Sequence, residues 1–474
     1  PDIDFDFPHY LRDEVFLKLF QKWGSKVARI SNHNYYHEKS ALRESLRRNG
    51  IRKFISKYDI NREIKSYDPE LQNRIMRTQK ELEGQFRGYS LHCGGIIYFP
   101  DGIPEEYILD NSKTILKQVN LNRDNVSENK NFKIDVLSSR GLSQLFYCHS
   151  YKEINFYEHL GDQKTIDLLS KGDNIGITLA ETPLMRKALK LIKPKNIMDL
   201  AICLSIIRPA AKDARKEFEI GKYKNDNIIF DDDIIQVLAK LMNCDEELAD
   251  KFRRGWIKSD KETIMMIKKN MLQLPTSKKI QINNILNNVR KYGFCKAHAL
   301  SYAQLVWQLA YQKANYPEKF WKSTLKNVVS CYRKWVHIYE ARCNGVIYRE
   351  KKDNKSIYSI HKRTNNIPDN KLDQLKKNGY WLSNDDTFFD DCYCYKSNNE
   401  YVFRGLIAGS RNIRFGKYNK LVLFVGVKKQ KYIEVVIVGK NYYSTKNVLV
   451  RGRGKVLNAM YNSLECNSRN IRFI

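Results

Sequence analysis

The chain has 474 residues, which is too long for one hydrophobic core, so we expect about three or four domains. Its 83 Lys and Arg against 53 Asp and Glu give a net charge of +30. Such a charge favours a polyanionic partner, for which nucleic acid is the natural choice, although a basic protein can also simply be soluble in a salty cell. The 29 Tyr and 21 Phe exclude a disordered basic chain. No apolar run reaches the roughly 18 residues that would span a membrane.

The first residues alternate carboxylates with apolar side chains, as Pro1-Asp2-Ile3-Asp4-Phe5-Asp6-Phe7. Successive side chains of a strand point to opposite faces, so the three carboxylates share one face and Ile3, Phe5 and Phe7 are expected to be buried on the other. Like charges on one face repel unless a divalent cation lies among them, and oxygen-only ligands favour Mg²⁺, Mn²⁺ or Ca²⁺. The pattern therefore predicts a metal site, with a solvated face on an amphipathic edge strand as the alternative.

Two helices are predicted after this strand, over 11–23 and 39–48, and the second carries Arg43 and Arg47 close to one face. Residues 50–88 are charged, helical and poor in apolar residues, which is typical of a small projecting lobe. Strands follow at 93–99 and 132–137. The later strand has Lys133 and Asp135 on one face.

The pattern from about 150 to 340 is mostly helical, and apolar residues at a spacing of three and four predict a helix over 300–314. Residues 345–400 lose this periodicity and gain Asn, Asp and Lys, which indicates a linker. Short strands then return, at 401–408, 421–427, 432–438 and 448–456. Their number and length predict a small barrel of the OB type.

Ten cysteines are dispersed along the chain, and Cys392 and Cys394 are the only close pair. This spacing suits neither a zinc knuckle nor a disulfide framework, so we expect a reducing compartment. No signal peptide is visible. The expected location is the cytoplasm of a bacterial cell, or of a host cell if the protein is encoded by a phage or virus.

Asp135 is the best candidate for a third metal ligand beside Asp2 and Asp4, because phosphoryl transfer by two cations needs carboxylates from separate segments. Two cations roughly 3.5 to 4 Å apart could activate an attacking hydroxyl and neutralise a leaving pyrophosphate. Lys133 would lie beside the triphosphate as a point charge. The alternative is an ordinary strand with one exposed Lys and one exposed Asp.

Seven segments follow one another in the order found in C-family DNA polymerases, the bacterial DNA polymerase III alpha subunits, which the chain resembles across residues 1 to 325. The segments are Pro1 to Phe7, Arg87-Gly88-Tyr89-Ser90-Leu91-His92-Cys93-Gly94-Gly95-Ile96-Ile97, Lys133-Ile134-Asp135-Val136-Leu137-Ser138-Ser139-Arg140, Gly172-Asp173-Asn174-Ile175-Gly176-Ile177 with Glu181 and Leu191-Ile192-Lys193-Pro194, Ile207-Arg208-Pro209, Phe252-Arg253-Arg254, and Tyr292-Gly293-Phe294-Cys295-Lys296-Ala297-His298-Ala299-Leu300-Ser301-Tyr302.

The resemblance implies a multidomain fold of α/β and α type. It would contain a polymerase palm with a mixed sheet of the nucleotidyltransferase type, a helical thumb and fingers, and a C-terminal OB-like β-barrel. The implied boundaries are 1–45 and 89–150 for the palm, 46–88 for the thumb, 151–340 for the fingers, 341–400 for a linker or reduced duplex-binding region, 401–460 for the OB-like domain, and 461–474 for a tail.

The implied activity is template-directed DNA synthesis in replication or repair, in which a primer 3′-hydroxyl attacks the α-phosphate of a deoxynucleoside triphosphate. Asp2, Asp4 and Asp135 would be the catalytic metal ligands for two Mg²⁺ ions, with Mn²⁺ as a substitute and Asp6 as a fourth ligand on the same face. The implied contacts to the nucleotide and template are Lys133, Arg208, Arg253, Arg254, Lys296 and His298. Those of the fingers are expected to face the same cleft as Lys133.

The implied partners are primer–template DNA, deoxynucleoside triphosphates and a sliding clamp or other replisome subunits, although no clear clamp-binding peptide is found. DNA would also contact Arg43, Arg47 and one face of the barrel. That face is expected to hold single-stranded template through Arg404, Arg411, Arg414, Lys417 and Lys420, with Tyr418 as a stacking ring. Alternatively, the barrel only caps the fingers or binds a protein partner.

The chain departs from the family pattern at several points. The family has a Gly-Ser motif, further palm strands and a phosphoesterase-like PHP domain before the acidic motif, which implies that this chain is a fragment of a longer protein. Phe230-Asp231-Asp232-Asp233 stands where the family has Tyr-Gln-Glu-Gln. These departures favour a divergent, compact member, of phage origin or of the error-prone type.

Two other functions remain open. One is a non-catalytic nucleic-acid-binding homologue that keeps the basic cleft and the barrel. The three carboxylates speak against it, since nothing structural requires converging charges. The other is a template-independent nucleotidyltransferase, against which the long fingers region speaks.

Overall fold

The computed structural model divides the chain into two compact units, Pro1–Ser139 and Arg140–Ile474. It describes residues 2–53, 60–109, 116–128, 132–149, 154–208, 211–221, 228–289, 294–327, 329–349, 357–359, 375, 389–415, 418–428, 431–438, 447–459 and 462–474. Within these ranges, no helix combines the length and apolar character needed to cross a bilayer. Most of the predicted linker over 345–400 lies outside them.

The first unit is a mixed sheet with helices. Its strands are β1 (Asp2–Pro8), β2 (Val27–Tyr35), β3 (Phe86–Tyr98), β4 (Lys117–Gln118) and β5 (Lys133–Ser139), and its helices are α1 (Arg12–Trp23), α2 (Glu38–Arg48), α3 (Ile60–Ile64), α4 (Pro69–Leu82) and α5 (Arg123–Glu128). The strand order is β1-β5-β3-β2-β4. β1 pairs with β5 and β2 with β4 in parallel, whereas β3 is antiparallel to both β2 and β5. The predicted mixed α/β architecture is confirmed.

The apolar face of β1 is less buried than the alternation predicted. Phe7 packs against a cluster that contains Phe16 of α1 and Val136 of β5. Ile3 and Phe5, however, are 42% and 51% exposed. The expectation of burial is therefore wrong for these two residues. The physical reason is that β1 is the edge strand of the described sheet and the cluster that covers this face reaches only Phe7.

The second unit begins with a helical region. Its helices are α6 (Arg140–Cys148), α7 (Gln163–Ser170), α8 (Pro183–Ile192), α9 (Ile197–Ile206), α10 (Lys212–Glu219), α11 (Asp231–Met242), α12 (Glu246–Lys258), α13 (Lys261–Met271), α14 (Thr276–Val289), α15 (Lys296–Asn315), α16 (Pro317–Asn327) and α17 (Lys334–Cys343). α15 packs against α6, α7, α9 and α16, and Ala303, Trp307 and Ala310 are fully buried on it. The predicted helix over 300–314 is confirmed and begins four residues earlier.

The second unit ends in strands. After β6 (Ile347–Arg349) and β7 (Ile357–Ser359) come β8 (Tyr393–Ser397), β9 (Glu400–Phe415), β10 (Tyr418–Lys428), β11 (Lys431–Val438), β12 (Leu449–Asn458), β13 (Ser463–Asn467) and β14 (Ile471–Phe473). Five of them close into a barrel in the order β9-β10-β11-β13-β12 and back to β9. The β11–β13 pair is parallel and the other pairs are antiparallel. This topology confirms the OB-like barrel.

One outer face of the barrel is buried against the helices of the same unit. Leu406, Ala408 and Phe424 of the barrel share a single apolar cluster with Trp335 and Tyr339 of α17, whereas the barrel interior forms a separate cluster. The indole Nε1 of Trp335 donates a hydrogen bond of 3.1 Å to the carbonyl oxygen of Ile407. The barrel therefore caps the helical region, which was one of the alternatives considered for it.

This shared core predicts that the barrel and the helices unfold together. Trp335→Ala should lower the free energy of unfolding of the second unit by about 3–5 kcal/mol, because it removes a fully buried aromatic side chain and its hydrogen bond. Urea unfolding followed by far-UV circular dichroism measures this change. Tyr157→Ala, at an exposed aromatic position of the same unit, is the control and should change the free energy by less than about 0.5 kcal/mol. Equal effects of the two substitutions would contradict the shared core.

Candidate active site

The register of β1 against β5 brings two of the predicted carboxylates together. Asp4 is the Cα partner of Asp135, Asp2 of Lys133, and Asp6 of Leu137. In adjacent paired strands, partner residues project from the same face, so Asp4 and Asp135 lie side by side although they are far apart in the sequence. Asp6 follows on the same face by alternation. The side chain of Asp2 lies outside the described part of the structure.

Lys133 and Asp135 form a buried ion pair. The ammonium Nζ of Lys133 lies 2.6 Å from Oδ2 of Asp135, and the two side chains are only 6% and 12% exposed. Both residues therefore share one face of β5, as the alternation predicted. The alternative of an ordinary strand with both groups exposed is wrong, because the sheet buries both side chains and they neutralise each other.

The other oxygen of Asp135 has a neighbour but no hydrogen bond. Oδ1 is buried and lies 3.6 Å from Nδ1 of His92, and no donor to it is found among the described residues. Nδ1 instead accepts a 2.7 Å hydrogen bond from the backbone N–H of Gly95, so the ring proton resides on Nε2. Burial lowers the pKa of His92, and this outweighs the nearby carboxylate of Asp135, which raises it, while Lys133 and Arg29 lower it further. His92 is therefore a neutral wall beside Oδ1.

Two glycines allow β3 to approach β5 and β2 at this point. A Cβ atom on Gly94 would lie 2.6 Å from the carbonyl oxygen of Val136, and one on Gly95 would lie 2.6 Å from Ile30 and 2.7 Å from Nδ1 of His92. Our sequence reasoning did not assign roles to His92, Gly94 or Gly95. The detectable signal was the tandem glycine inside an apolar strand, which marks a close backbone approach.

The donor set fits a hard divalent cation. Asp4 and Asp135 bring carboxylate oxygens together from neighbouring strands, and the buried Oδ1 of Asp135 makes no hydrogen bond in the described residues. Oxygen ligands of this type are those that Mg²⁺ and Mn²⁺ prefer. No group of three metal-ligating side chains is preformed among the residues that the structure describes. The third ligand of the prediction, Asp2, is not tested because its side chain lies outside that set.

Two of the predicted nucleotide contacts of the second unit, Arg208 and His298, pack against Phe294. The guanidinium of Arg208 lies 4.7 Å from the centroid of the Phe294 ring. The ring of His298 lies 6.0 Å from that of Phe294 and packs edge-on against Tyr302. Arg208 and His298, far apart in the sequence, are thus held by one aromatic ring. Pro209, Tyr292 and Gly293 lie outside the described residues.

The acidic triplet at the start of α11 connects this cluster to α12. Oδ2 of Asp232 accepts a 2.6 Å hydrogen bond from the backbone N–H of Lys296, and the backbone N–H of Asp231 donates to the carbonyl oxygen of Phe294. Oδ2 of Asp233 accepts hydrogen bonds from the two backbone N–H groups that precede the triplet. Burial raises the pKa of Asp231, and Arg253 opposes this. The triplet therefore caps helix termini, a role that sequence reasoning missed.

Arg253 and Arg254 share one carboxylate on α12. Asp250 lies 2.7 Å from Nη2 of Arg253 and 2.6 Å from Nε of Arg254. The Arg253 side chain is 16% exposed, whereas that of Arg254 is 70% exposed. Arg254 is therefore the member of the pair that can reach a ligand. Lys133 belongs to the first unit and these arginines to the second, and their common cleft stays a prediction.

The predicted DNA contacts that the structure describes lie on α2, β9 and β10. Arg43 and Arg47 are exposed on α2, and Arg47 pairs with Glu44 at 2.8 Å. Arg404 and Arg411 lie on β9, where Arg411 approaches Glu434 at 3.5 Å. The side chains of Arg414 and Tyr418 and the whole of Lys417 lie outside the described part of the chain, whereas Lys420 lies 3.4 Å from Glu465.

Comparison with known proteins matches the chain to two family models, both from bacterial DNA polymerase III alpha subunits. The family model described as "Bacterial DNA polymerase III alpha NTPase domain" matches residues 1–138. The model described as "Bacterial DNA polymerase III alpha subunit finger domain" matches residues 144–279. The two matches are consecutive and together cover more than half of the chain.

The curated relatives include DNA polymerase III alpha subunits and an error-prone DNA polymerase. The chain is 24% identical over 383 residues to DNA polymerase III subunit alpha of Halalkalibacterium halodurans, which is 69% of this chain and 34% of the relative. It is 26% identical over 410 residues to the subunit of the same name from Bacillus subtilis. This match covers 76% of this chain and 37% of the relative. It is also 25% identical over 373 residues to an error-prone DNA polymerase of Rhodopirellula baltica. This match covers 68% of this chain and 32% of the relative. The chain thus spans about a third of the length of these relatives.

The buried pair at Asp135 gives a stability prediction. Lys133→Met should lower the free energy of unfolding by about 3 kcal/mol, because it leaves a buried carboxylate without its ammonium partner. Millimolar Mn²⁺ should restore part of this loss, since a cation bound by the folded state stabilises it. Thermal unfolding with and without Mn²⁺ measures both effects. Lys117→Met, at an exposed lysine of the same sheet, is the matched control, and an equal loss in the two variants would contradict the buried pair.

Proposed function

The chain belongs to the family of bacterial DNA polymerase III alpha subunits, and on that premise we propose that it carries the catalytic region of a template-directed DNA polymerase. The reaction is the transfer of a nucleotidyl group from a deoxynucleoside triphosphate to a primer 3′-hydroxyl, in replication or repair synthesis. The observation that supports this most directly is the register that pairs Asp4 with Asp135 on neighbouring parallel strands. In this proposal the mixed sheet serves as the palm and the helices up to residue 340 contain the fingers.

The carboxylates of the sheet are assigned to two Mg²⁺ ions, for which Mn²⁺ can substitute. Asp2, Asp4 and Asp135 are the ligands, with Asp6 as a fourth. When bound, such ions supply the charge that activates the primer hydroxyl and neutralises the leaving pyrophosphate. Lys133 holds Oδ2 of Asp135, so the carboxylate keeps one orientation and presents Oδ1.

The basic residues of the second unit are assigned to the incoming nucleotide. Arg254 is the exposed arginine of its pair and can meet phosphate oxygens through two parallel hydrogen bonds. Arg253 pairs with Asp250, the same carboxylate that Arg254 contacts. Arg208 and His298, which pack against Phe294, and Lys296, whose backbone N–H is bound by Asp232, complete the set together with Lys133 of the sheet.

The proposed partners are primer–template DNA and deoxynucleoside triphosphates, with a sliding clamp or other replisome subunits as further candidates. DNA is assigned to Arg43 and Arg47 of α2 and to Arg404, Arg411 and Arg414 of the barrel. Arg411 already approaches Glu434, so a phosphate would have to compete with that carboxylate.

The assignment of Asp135 predicts a specific loss. Asp135→Asn should reduce primer extension by at least about a hundredfold and change DNA affinity by less than about twofold, because bound cations stabilise the transition state more than they hold the duplex. Extension of a labelled primer and fluorescence anisotropy measure the two quantities. Asp101→Asn, at an exposed aspartate of the same unit, should change neither.

A direct readout of cation binding accompanies this experiment. Electron paramagnetic resonance of Mn²⁺ should show bound metal in the unchanged chain and a loss of bound metal in Asp4→Asn and Asp135→Asn. DNA binding with no extension and no bound Mn²⁺ would instead support the non-catalytic homologue. Extension without a template strand would support the template-independent nucleotidyltransferase.

The assignment of Arg254 predicts a change in nucleotide affinity. Arg254→Ala should raise the KM for the incoming nucleotide roughly tenfold with little change in kcat, because a charge-assisted phosphate contact is lost. Steady-state extension kinetics at varied nucleotide concentration measure both constants. Lys251→Ala removes an exposed cation from the same helix and should leave them unchanged. An unchanged KM in Arg254→Ala would show that this arginine is merely solvated.

A further inference from the structure

A cavity of about 660 Å³ lies within the second unit, between α8 and the β10–β11 hairpin of the barrel. Its wall also includes the turn at Gly172, which precedes α8, and Glu340 of α17. Cavities of this size take small-molecule ligands in other proteins. None of the residues assigned above to the metals, the nucleotide or the DNA lines it.

Unneutralised cations converge on this cavity from three elements. Arg186 and Lys190 lie one turn apart on α8, Lys171 lies in the preceding turn, and Lys428 and Lys431 come from the two strands of the hairpin. None of these five has a carboxylate within ion-pair distance among the described residues. Cations brought together without anions repel each other, so the arrangement favours a bound anion.

The carboxylates of the wall do not provide this neutralisation. Asp173 pairs with the buried Lys313 at 2.6 Å, and Glu434 pairs with Lys187 at 2.6 Å. Glu340 is buried and accepts a 2.8 Å hydrogen bond from the hydroxyl of Tyr432, and burial raises its pKa. The net charge that faces the cavity is therefore positive.

The two cations of α8 are both half-buried, and Arg186 is also held by side-chain contacts. Nε of Arg186 donates a 2.9 Å hydrogen bond to Oδ1 of Asn174, and its guanidinium lies 5.6 Å from the centroid of the Tyr432 ring. Lys190 is half-buried, and burial together with the neighbouring Arg186 lowers its pKa. An anion bound between Arg186 and Lys190 would reduce their mutual repulsion and the cost of burying their charges.

A buried hydroxyl of the wall also lacks a partner. Tyr332 lines the cavity and is 6% exposed, and its hydroxyl makes no hydrogen bond among the described residues. Burial raises its pKa, so it remains a protonated donor. A buried donor without an acceptor is costly, which is a second and independent indication of a missing ligand.

We propose that this cavity binds the di- or triphosphate group of a compact anion, either a nucleotide or an inorganic polyphosphate. The five cations without an ion-pair partner among the described residues supply enough positive charge to neutralise the roughly three to four negative charges of a triphosphate. Their convergence on one cavity favours a compact anion, because an extended strand would be followed by cations spaced along a surface. The proposal does not depend on the polymerase assignment, since it uses none of the assigned catalytic residues.

The test is calorimetric titration of the whole chain with inorganic triphosphate and, separately, with dATP, both in EDTA without divalent cations. Arg186→Gln and Lys190→Gln should each weaken triphosphate binding at least about tenfold, because each removes a charge-assisted hydrogen bond. Lys195→Gln, at an exposed lysine just beyond α8, is the matched control and should bind normally. Tighter binding of dATP would identify a nucleotide as the ligand, and equal binding would identify the phosphate chain alone.

Two further variants guard against misfolding. Lys428→Gln with Lys431→Gln changes only exposed side chains of the hairpin and should also weaken binding. Tyr332→Phe should leave the melting temperature of the free chain unchanged, since its hydroxyl has no partner to lose, and should still weaken binding.

Several outcomes would overturn the proposal. Absence of triphosphate binding in the unchanged chain would do so, as would unchanged affinity in Lys190→Gln and in the double hairpin variant. Binding of an oligonucleotide but not of triphosphate would assign the cavity to a strand. Loss of triphosphate binding in Arg254→Ala would place it at the proposed nucleotide site instead, and failure of the polymerase test alone would leave this site intact.

Discussion

The parallel pairing of β1 with β5 imposes the constraint on which the first unit depends, because it places Asp4 beside Asp135. Two carboxylates on neighbouring strands repel each other, and a sheet accepts them only with compensating positive charge. Lys133 supplies part of it by binding Oδ2 of Asp135 in a buried pair. Gly94 and Gly95 then bring β3 close enough for His92 to border the remaining oxygen. Among the described residues, the surroundings of Asp135 thus leave one buried oxygen without a hydrogen bond, and this is the oxygen that the proposed function assigns to a cation.

In the second unit, carboxylates are also bound by neighbouring side chains, but there these contacts stabilise the fold. Glu181 and Asp173 belong to a segment that resembles the start of the polymerase fingers, and both are held by buried partners. Nε2 of His337 lies 2.8 Å from Glu181, and Lys313 lies 2.6 Å from Asp173. These contacts tie the loop before α8 to α15 and α17. In this part of the chain the resemblance therefore identifies a hydrogen-bonded scaffold as well as candidate ligand contacts.

Much of the fold could be predicted from the sequence because periodicity reports which face of an element is apolar. The helix over α15 and the strands of the barrel were identified in this way. Periodicity does not report which element covers that face, and so it wrongly buried Ile3 and Phe5 on an edge strand. For the same reason it could not predict that Phe424, on the outer face of the barrel, packs with Trp335. The buried ion pair of Lys133 and Asp135 could not be predicted either, because alternation shows that two side chains share a face but not whether that face is buried.

The net charge of +30 favours a polyanionic ligand. Which cations can bind that ligand depends on whether each of them is already paired with a carboxylate of the protein. Arg253 is held by Asp250, and Lys313 by Asp173, so these charges stabilise the fold at least as much as they attract a ligand. A cation that already has a carboxylate gains less from a phosphate, because the existing ion pair must first be broken. Arg186 and Lys190 have no such competitor among the described residues, and they lie in a cavity where solvent screens them less. An anion should therefore gain more from this pair than from Arg411 of the barrel, which approaches Glu434.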